Sequence, residues 1–593
     1  MECKMRHEMD PAFQWDFTHI FESKEAWEAA YAEAQTAVQA LSTVPGTLGT
    51  SAASLKAGLD AVYGAAEKAQ LVSLYAFLHK SGDNGNADYQ TMEGRAMQLG
   101  IALSSALAFM EPEILAIDRD TLTAWMQSEE LAGYRHILDD IVRGAAHVLD
   151  TEKEQMLALL GDAASSPRKC FDMLESVDMT FPTIHDENGK EVPLTHGSYG
   201  VYLHSRNAAV RKEAYETYFK EFGKYINTLA AMYAGSVKFD TFYARVRKYD
   251  SACEAALFGS NVPVAVYDSL TEAIHGGLPT MKRYLALRKK VLGMDTLNMY
   301  DLYCPMVDDV EFHVPFADGM DLVRKATAPL GARYKDLLDM AEANHWMDVY
   351  ENKGKTTGAF SCGVHGVHPY VLLNYTDTLD DAYTLAHELG HAMHSYLSSE
   401  KQDFANHRYR ILVAEVASTV NEVLLTKYLL SVETDKARRA FILNKFLEGF
   451  RTTVFRQTLF AEFERKAHDV YMAGQPLTAQ YLNGLYRELN LMYYDGADVG
   501  ELHDIEWARI PHFYNAFYVY QYATGFCSAV AIADRILKTG DASDYLKFLA
   551  TGGSDYPIEE LKIAGVDLTS PDTVANALKV FDETLSELED LLA

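Results

Sequence analysis

Apolar residues recur at helical spacing through most of the first 175 residues of the chain. The first of these stripes runs through Trp27, Tyr31, Ala34, Val38 and Leu41. Residues three and four apart lie on one face of a helix, so each stripe predicts a helix with one buried side. We therefore expect a succession of packed helices here, with apolar stripes that form core and no binding site.

The spacing changes in two places, where short runs of β-forming residues replace the helical pattern. Near residues 179–195, two such runs flank Asn188-Gly189, which is typical of a β-hairpin. Near residues 357–376, the runs 358–363 and 370–375 predict two strands of a small sheet. We place a boundary at the hairpin, giving an amino-terminal helical region of residues 1–190 and a second region of residues 191–593.

Directly after the second strand region, residues 381–396 form a largely apolar helix with an unusual polar insert. The insert reads His387-Glu388-Leu389-Gly390-His391. Two histidines four apart point to the same side of a helix and can share one divalent metal ion, with zinc as the first choice. Glu388 lies beside the first histidine, where it can reach a water bound to that metal. His394 is too far along the helix to join the same ion. The alternative is a solvated helix face with two unrelated histidines.

A second apolar helix, predicted at residues 409–425, carries a polar stripe that includes Glu415 and Glu422. Two histidines and a glutamate from a following helix form a known catalytic zinc set, which leaves the fourth position open for water. We predict Glu415 as the third ligand and Glu422 as a residue that orients a ligating histidine by hydrogen bonding. The alternative is an acidic stripe that forms salt bridges.

The net charge and the cysteine pattern limit which partners and which cellular compartment are expected. The net charge is -31, which argues against nucleic acid and anionic membranes as partners. The six cysteines show no paired spacing, so neither a disulfide framework nor a zinc knuckle is indicated. No run of eighteen apolar residues occurs, and residues 1–17 do not have the pattern of a signal peptide. We expect a cytoplasmic protein with no membrane partner.

An open zinc site beside a carboxylate suggests metal-assisted hydrolysis, with Glu388 as the general base. Such a reaction needs a donor for the developing oxyanion. Residues 509–525 are dense in tyrosine, and Tyr518 and Tyr522 are four apart, so on a helix they would face the same way. His368, between the two predicted strands, is a further candidate for contact with substrate. Packing is the alternative for each of these aromatic residues.

Taken together, residues 370–375, 384–394, 414–422 and 509–525 resemble those of oligoendopeptidase F, in the thimet oligopeptidase-like family of zinc metallopeptidases. The resemblance covers the chain from about residue 110 to its end. It implies a mainly α fold, with a large multi-helix, clam-like body, a deep substrate channel and a small β-sheet next to the metal helix. It implies one zinc ion per chain and hydrolysis of internal bonds in short, unstructured peptides.

The resemblance also assigns roles to individual residues. His387, His391 and Glu415 match the family's zinc ligands, and Glu388 matches its base. Three further matches concern substrate: Tyr522 corresponds to a tyrosine that stabilises the intermediate, Tyr518 to a substrate-binding tyrosine, and His512 to a substrate-binding histidine. Gly525 falls where thimet oligopeptidase has a further tyrosine, so this chain departs from that pattern.

Two other functions remain open at this point. One is a dipeptidyl carboxypeptidase of the same fold, which must bind a free carboxyl terminus. The other is a non-catalytic peptide-binding protein, and the complete set of two histidines and two glutamates argues against it.

Overall fold

The computed structural model describes residues 4–307, 310 and 312–593, and the chain divides into two compact units. Each unit is assembled from three separate segments of the chain. Unit 1 consists of Met1–Ala146, Glu311–Tyr428 and Ile532–Gly565, and unit 2 consists of His147–Val310, Leu429–Ala531 and Val566–Ala593. Helices account for 71% of the structure and strands for 3%, which confirms the mainly α fold class.

The boundary predicted at about residue 190 does not coincide with a change of unit. Residue 190 lies inside the second unit, and the chain first changes unit after Ala146. Of the four later changes of unit, those after Tyr428 and Ala531 each fall within a helix. Because these changes are not marked by loops rich in glycine, proline or charge, local composition does not reveal them.

The first segment of unit 1 is a helical layer with its own core. The predicted stripe is buried there, since Trp27, Ala34, Val38 and Leu41 belong to one apolar cluster. Its helices are α1 Lys24–Ala40, α2 Ala52–Gly82, α3 Ala87–Leu107, α4 Met110–Leu115, α5 Arg119–Met126 and α6 Arg135–Gly144.

The described part of the first segment of unit 2 contains the predicted hairpin and seven α-helices. Strands β1 Thr183–His185 and β2 Glu191–Pro193 pair antiparallel, with Ile184 opposite Val192. Asn188-Gly189 lies within a five-residue connection, in which Gly189 takes a φ of 73°. The helices are α7 Thr151–Ala164, α8 Ser166–Met173, α9 His196–Leu203, α10 Ala208–Lys224, α11 Ile226–Val246, α12 Ala252–Phe258 and α13 Val264–Val291.

The second segment of unit 1 holds a three-stranded sheet and the two helices that carry the metal motif. Both predicted strands are present and pair antiparallel, with Ser361 opposite Val371. A two-residue strand missing from the sequence prediction pairs parallel on the other side, giving the order β3-β5-β4. The elements are α14 Phe316–Ala326, α15 Ala332–Ala343, β3 Met347–Asp348, β4 Phe360–Cys362, β5 Tyr370–Leu372, α16 Leu379–Lys401 and α17 Ile411–Val432.

The remaining residues complete both units with helices. Short 3-10 helices at Leu502–Arg509 and Pro511–Tyr514 precede one of them. These helices are α18 Lys436–Gly449, α19 Arg456–Met472, α20 Ala479–Tyr493, α21 Tyr520–Thr539, α22 Ser543–Leu549, α23 Pro557–Ile563 and α24 Asp572–Leu592.

Among the described helices, none is by itself long and apolar enough to span a membrane. One bent pair, Ala87–Leu115 with Arg119–Met126, meets the length and composition criteria together, across a bend of 106°.

Candidate metal centre

Helix α16 positions the histidine motif, and its start is fixed by local hydrogen bonds. Thr378 caps the helix by accepting from the Asp381 backbone N–H, and the Asp381 carboxylate accepts from the Thr378 N–H in return. This reciprocal pair is a capping box. The helix then buries Leu385, Ala386 and Leu389 in the core of unit 1, which turns the opposite side, with His387 and His391, toward α17.

Three ligand-type atoms converge between α16 and α17. The Nε2 atoms of His387 and His391 are 3.2 Å apart. Oε2 of Glu415 lies 3.4 Å from Nε2 of His387 and 3.6 Å from Nε2 of His391. The structure therefore brings together the three residues predicted as ligands, and they form a group able to hold a metal ion.

The spacing of these atoms fits a tetrahedral metal ion. Zinc bonds of about 2.0–2.1 Å at tetrahedral angles place neighbouring ligand atoms about 3.3 Å apart, close to the three distances observed. The three side chains are partly exposed, so their ligand atoms remain accessible from one side. Three protein ligands with an accessible fourth position are typical of a catalytic site.

Two residues of α17 hold these ligands in place. Nδ1 of His387 donates a hydrogen bond to Oε1 of Glu422 at 2.5 Å, which leaves Nε2 free for a metal. The Ser418 hydroxyl donates to the backbone oxygen of Glu415 and lies 3.2 Å from its Oε2. Glu422 thus has the contact that the sequence predicted for it.

The two helices approach closely because Gly390 has no side chain. A Cβ at this position would lie 2.6 Å from Cα of Ser418 and 2.7 Å from the backbone oxygen of Ala417. Asn421 joins the helices at the same level, since its Nδ2 donates to the backbone oxygen of Ala386 at 2.9 Å. Tyr334 donates to the other end of the Asn421 amide, also at 2.9 Å.

Gly390 and Asn421 were missed as functional residues by the sequence analysis. The sequence pattern indicated both residues. A glycine inside a helix usually serves close packing, and a buried amide in an apolar helix must have a hydrogen-bond partner. The partner of each depends on how the two helices pack, and the one-dimensional pattern does not contain that information.

Burial and charge set the proton affinities at this site. The His387 and His391 rings hold the pKa of the Glu415 carboxyl well below its usual range. Burial opposes a charge on His387, but the Glu415 and Glu422 carboxylates raise its pKa to about 10. Burial raises the pKa of Glu388, which is only 7% exposed. A carboxylate with a raised pKa is a stronger base, as a general base requires.

His394 is a packing residue and is not among the three residues whose ligand atoms converge. It is buried, its ring stacks on Tyr409 with centroids 3.7 Å apart, and it contacts Phe548. Burial lowers its pKa to about 3, so it stays neutral.

His368 is placed between aromatic residues of unit 1. Its ring stacks on Trp346, and its Nε2 lies 2.8 Å from Nδ1 of His19. Nδ1 of His368 donates to the backbone oxygen of Pro369, so Nε2 is the acceptor toward His19. Burial lowers the pKa of His368 to about 4. Its contact with substrate remains a prediction.

The tyrosine-rich stretch belongs to unit 2 and brings three predicted residues together. The Tyr518 and Tyr522 rings have centroids 5.5 Å apart, and the Tyr522 hydroxyl lies 3.4 Å from Nε2 of His512. The two tyrosine rings do not meet by sharing a helix, because α21 begins only at Tyr520. Phe517 takes a φ of 57°, and Tyr518 follows it in the turn ahead of the helix. The shared helix face predicted for Tyr518 and Tyr522 is therefore wrong, although the two rings meet.

Comparison with known proteins identifies the group to which these features belong. The model of peptidase family M3 matches residues 201–580, and that of oligopeptidase F matches residues 113–181. The chain belongs to peptidase family M3. This peptidase is 43% identical to oligopeptidase PepF of Bacillus subtilis over 99% of its own length and 88% of the relative. It is 38% identical to an oligoendopeptidase F homologue of Lactococcus lactis, over 100% and 99% of the two chains.

A solved structure supports the same assignment at the level of the fold. Oligoendopeptidase F of Enterococcus faecium matches the peptidase with a TM-score of 0.73 and 35% identity, over 96% of this chain and 99% of the other. The resemblance seen in the sequence is thus confirmed, as is the assignment to the metalloendopeptidases. The alternative of a non-catalytic binding protein is not supported.

Proposed function

We propose that this peptidase holds one zinc ion per chain on His387, His391 and Glu415 and hydrolyses internal bonds of short peptides. The observation that supports zinc most directly is the mutual spacing of the three ligand atoms, 3.2, 3.4 and 3.6 Å. It agrees with the tetrahedral geometry of zinc and with nitrogen and oxygen ligands. When bound there, zinc would polarise the peptide carbonyl and lower the pKa of a water molecule.

Side chains of the protein transfer the proton of the attacking water and fix the proton on His387. Glu388 accepts a proton from the attacking water and returns it to the leaving amine, a role favoured by its raised pKa. Glu422 keeps a proton on Nδ1 of His387, so that Nε2 stays free for the metal. Ser418 orients Glu415 through its hydroxyl. The Glu422 contact joins α17 to α16, the Ser418 contact lies within α17, and the role of Glu388 depends on its burial.

The residues of unit 2 are proposed to bind the substrate and its transition state. The Tyr522 hydroxyl would donate to the developing oxyanion, as a preorganised donor does. Tyr518 and His512 are assigned to substrate binding, since their rings surround Tyr522. His368 in unit 1 is a further proposed substrate contact, through the exposed part of its ring.

The peptide backbone has a suitable partner in strand β4. This strand is at the edge of its sheet, and no other strand of the described part of the chain pairs with its outer side. An edge strand presents unpaired N–H and C=O groups that bind an extended peptide. The sheet lies against α16, where a Cβ at Gly363 would meet Cβ of Ser395 at 2.3 Å. We therefore propose short, unstructured peptides as substrates and an enclosed channel that excludes folded proteins.

The proposed compartment is the cytoplasm, and neither nucleic acid nor a membrane is proposed as a partner. The net charge of -31 disfavours both anionic partners. The five cysteines that the structure describes are all free thiols, as is usual in a reducing compartment.

The experiment that tests this function uses zinc-free protein and a peptide of about ten residues that is blocked at both ends. Zinc is added back in steps while mass spectrometry follows the products. Cleavage at internal bonds that reaches its plateau at one zinc per chain supports the proposal. If only an unblocked peptide is cut, two residues at a time from its carboxyl end, the enzyme is a dipeptidyl carboxypeptidase. A stable folded protein is incubated in parallel, and its rapid internal cleavage would contradict the enclosed channel.

A further inference from the structure

Unit 2 contains a partly open cavity of about 230 Å³, and buried and partly buried arginines line part of it. We call it the arginine cavity and define it by six of the residues that line it, Arg451, Arg456, Arg509, Tyr215, Tyr494 and His503. None of them belongs to the candidate metal centre, which lies in unit 1. The volume is well above the roughly 10–15 Å³ that one water molecule needs.

The arginine cavity has more positive than negative charge around it. Arg456 pairs with Glu506, Nη2 to Oε1 at 2.7 Å, and the Nη1 atom of Arg509 lies 3.6 Å from the same carboxylate. Arg451 pairs with Glu448 at 2.6 Å.

Glu448 is also shared, because Arg288 contacts it at 2.9 Å. In this network four guanidinium groups therefore face two carboxylates. A buried charge is costly unless it is paired, so the surplus of two positive charges favours a bound anion. This contrasts with the chain as a whole, whose net charge is strongly negative.

The electrostatic effect of the arginines is visible at Tyr303, which also lines the cavity. Arg456 and Arg451 lower the pKa of this phenol, although burial acts in the opposite direction. At Tyr215, another lining residue, burial dominates and raises the pKa. Arg451 and Arg456 therefore favour negative charge at this side of the cavity.

Three polar groups at the cavity have no hydrogen-bond partner among the described residues. They are the hydroxyls of Tyr215 and Tyr494 and the imidazole of His503, whose Nε2 lies 3.0 Å from Oε2 of Glu506 without forming a hydrogen bond. Tyr494 is 2% exposed, His503 4% and Tyr215 6%. Buried polar groups are nearly always paired, so these groups point to a missing acceptor. Water would satisfy the hydroxyls, but it would leave the charge surplus unchanged.

We propose that the arginine cavity binds a small oxyanion, a carboxylate or a phosphate group. Guanidinium groups recognise both groups through paired N–H donors, and tyrosine hydroxyls add further donors to their oxygens. The proposed site is separate from peptide hydrolysis, so its failure would leave the proposed function untouched.

The test measures binding to the zinc-loaded, full-length protein. Sodium phosphate or sodium acetate replaces the sodium salt of a bulky sulfonate at constant ionic strength, and the dissociation constant is taken from the rise of the melting temperature. A melting temperature that rises to a plateau with phosphate would show that inorganic phosphate binds. A melting temperature that rises to a plateau with acetate would show that a carboxylate binds. No saturable rise with either anion would overturn the proposal.

Two variants locate the binding. Tyr494→Phe removes one unpaired hydroxyl of the arginine cavity and should raise the dissociation constant about tenfold, as expected for a hydrogen bond to a charged group. Tyr233→Phe is the matched control, because its hydroxyl is equally buried and unpaired within the described residues but does not line the cavity. Equal dissociation constants in the two variants would place the anion elsewhere, for example at the zinc ion, and contradict the proposal.

Discussion

The 2.5 Å contact between Glu422 and His387 shows how single side chains prepare the metal centre. The carboxylate selects the ring nitrogen that carries the proton and also fixes the plane of the ring. Neighbours of this kind commonly change metal affinity by about 10–100-fold when they are removed. We therefore expect Glu422 to strengthen metal binding without itself being a ligand.

The first prediction concerns this contact. Glu422→Ala should weaken zinc binding by roughly 10–100-fold, because the His387 ring loses the group that orients it. Glu422→Gln keeps an acceptor oxygen and should lose less. Zinc affinity is measured by competition with a chelator of known strength. An affinity in Glu422→Ala equal to that of the wild type would remove Glu422 from the metal centre.

The second prediction concerns Tyr522, whose hydroxyl is proposed to stabilise the oxyanion. Tyr522→Phe should lower kcat on the order of 10²–10³-fold and change KM less, since only the transition state loses a hydrogen bond. Tyr520→Phe is the matched control, because Tyr520 is buried against Tyr267. A change confined to KM in Tyr522→Phe would make it a binding residue only.

At the residue scale, the sequence pointed to the three ligand-type residues that the structure brings together, because the motif is local. His387 and His391 share a face through helical geometry alone, and Glu415 was found because an acid in an apolar helix needs a partner. Asn421 and Tyr334 were not found, since their hydrogen bond links elements 87 residues apart. Their functional meaning depends on tertiary contacts that spacing does not show.

At the scale of elements, the distance between α16 and α17 decides whether Glu415 reaches the two histidines. Gly390 sets this distance, because a Cβ there would lie 2.6 Å from the backbone of Ser418. Backbone atoms cannot rotate away as a flexible side chain can, so the helices themselves would have to separate. The glycine is thus a requirement of the packing of the two helices.

The third prediction follows from this contact. Gly390→Ala should lower both the melting temperature and the zinc affinity, because separating α16 from α17 draws Glu415 away from His387 and His391. Gly100→Ala in α3 is the control, since a Cβ there has nothing within 4 Å. That change should be neutral or stabilising by roughly 0.5–1 kcal/mol. Zinc affinity unchanged in Gly390→Ala would show that the helices tolerate the side chain.

The fourth prediction concerns α23, where Glu560 is 1% exposed and its oxygens have no hydrogen-bond partner among the described residues. Burial raises the pKa of Glu560 to about 8, against an ordinary value of 4.5. The folded protein keeps the proton between these pH values and the unfolded chain releases it, so stability falls as pH rises from about 4.5 to 8.

Glu560→Gln should remove this loss of stability. Its melting temperature should exceed that of the wild type by an amount that grows from pH 5 to pH 8. Glu559→Gln is the control, because Glu559 is exposed and pairs with Lys562 at the surface. A difference between Glu560→Gln and wild type that does not change with pH would show that Glu560 is ionised in the folded protein.

The elements themselves were largely predictable, with instructive exceptions. Long helices such as α1 and α16 follow from strong apolar periodicity, and the two strands β4 and β5 follow from short β-forming runs. Strand β3 was missed because two residues are too few to show a period. Tyr518 and Tyr522 were expected to share a helix face because of their spacing, but Phe517 has a positive φ and α21 begins only at Tyr520.

For the whole molecule, the fold class was predictable and the path of the chain was not. Helical periodicity and the family resemblance both indicated a mainly α protein, as found. The two units each combine three segments, and two of the changes between units occur inside helices. A division of the sequence into consecutive regions cannot represent such an arrangement, because proximity in the fold is not proximity in the chain.

The central claim for the whole molecule is that zinc on His387, His391 and Glu415, with Glu388 as the base, hydrolyses peptides. The most direct test measures bound zinc and turnover of an end-blocked peptide in the same preparations of wild type and Glu388→Gln. The ligands survive this change and the base does not, so zinc content should stay at one per chain while turnover falls on the order of 10²–10⁴-fold. Near-normal turnover of Glu388→Gln at full zinc content would contradict the account.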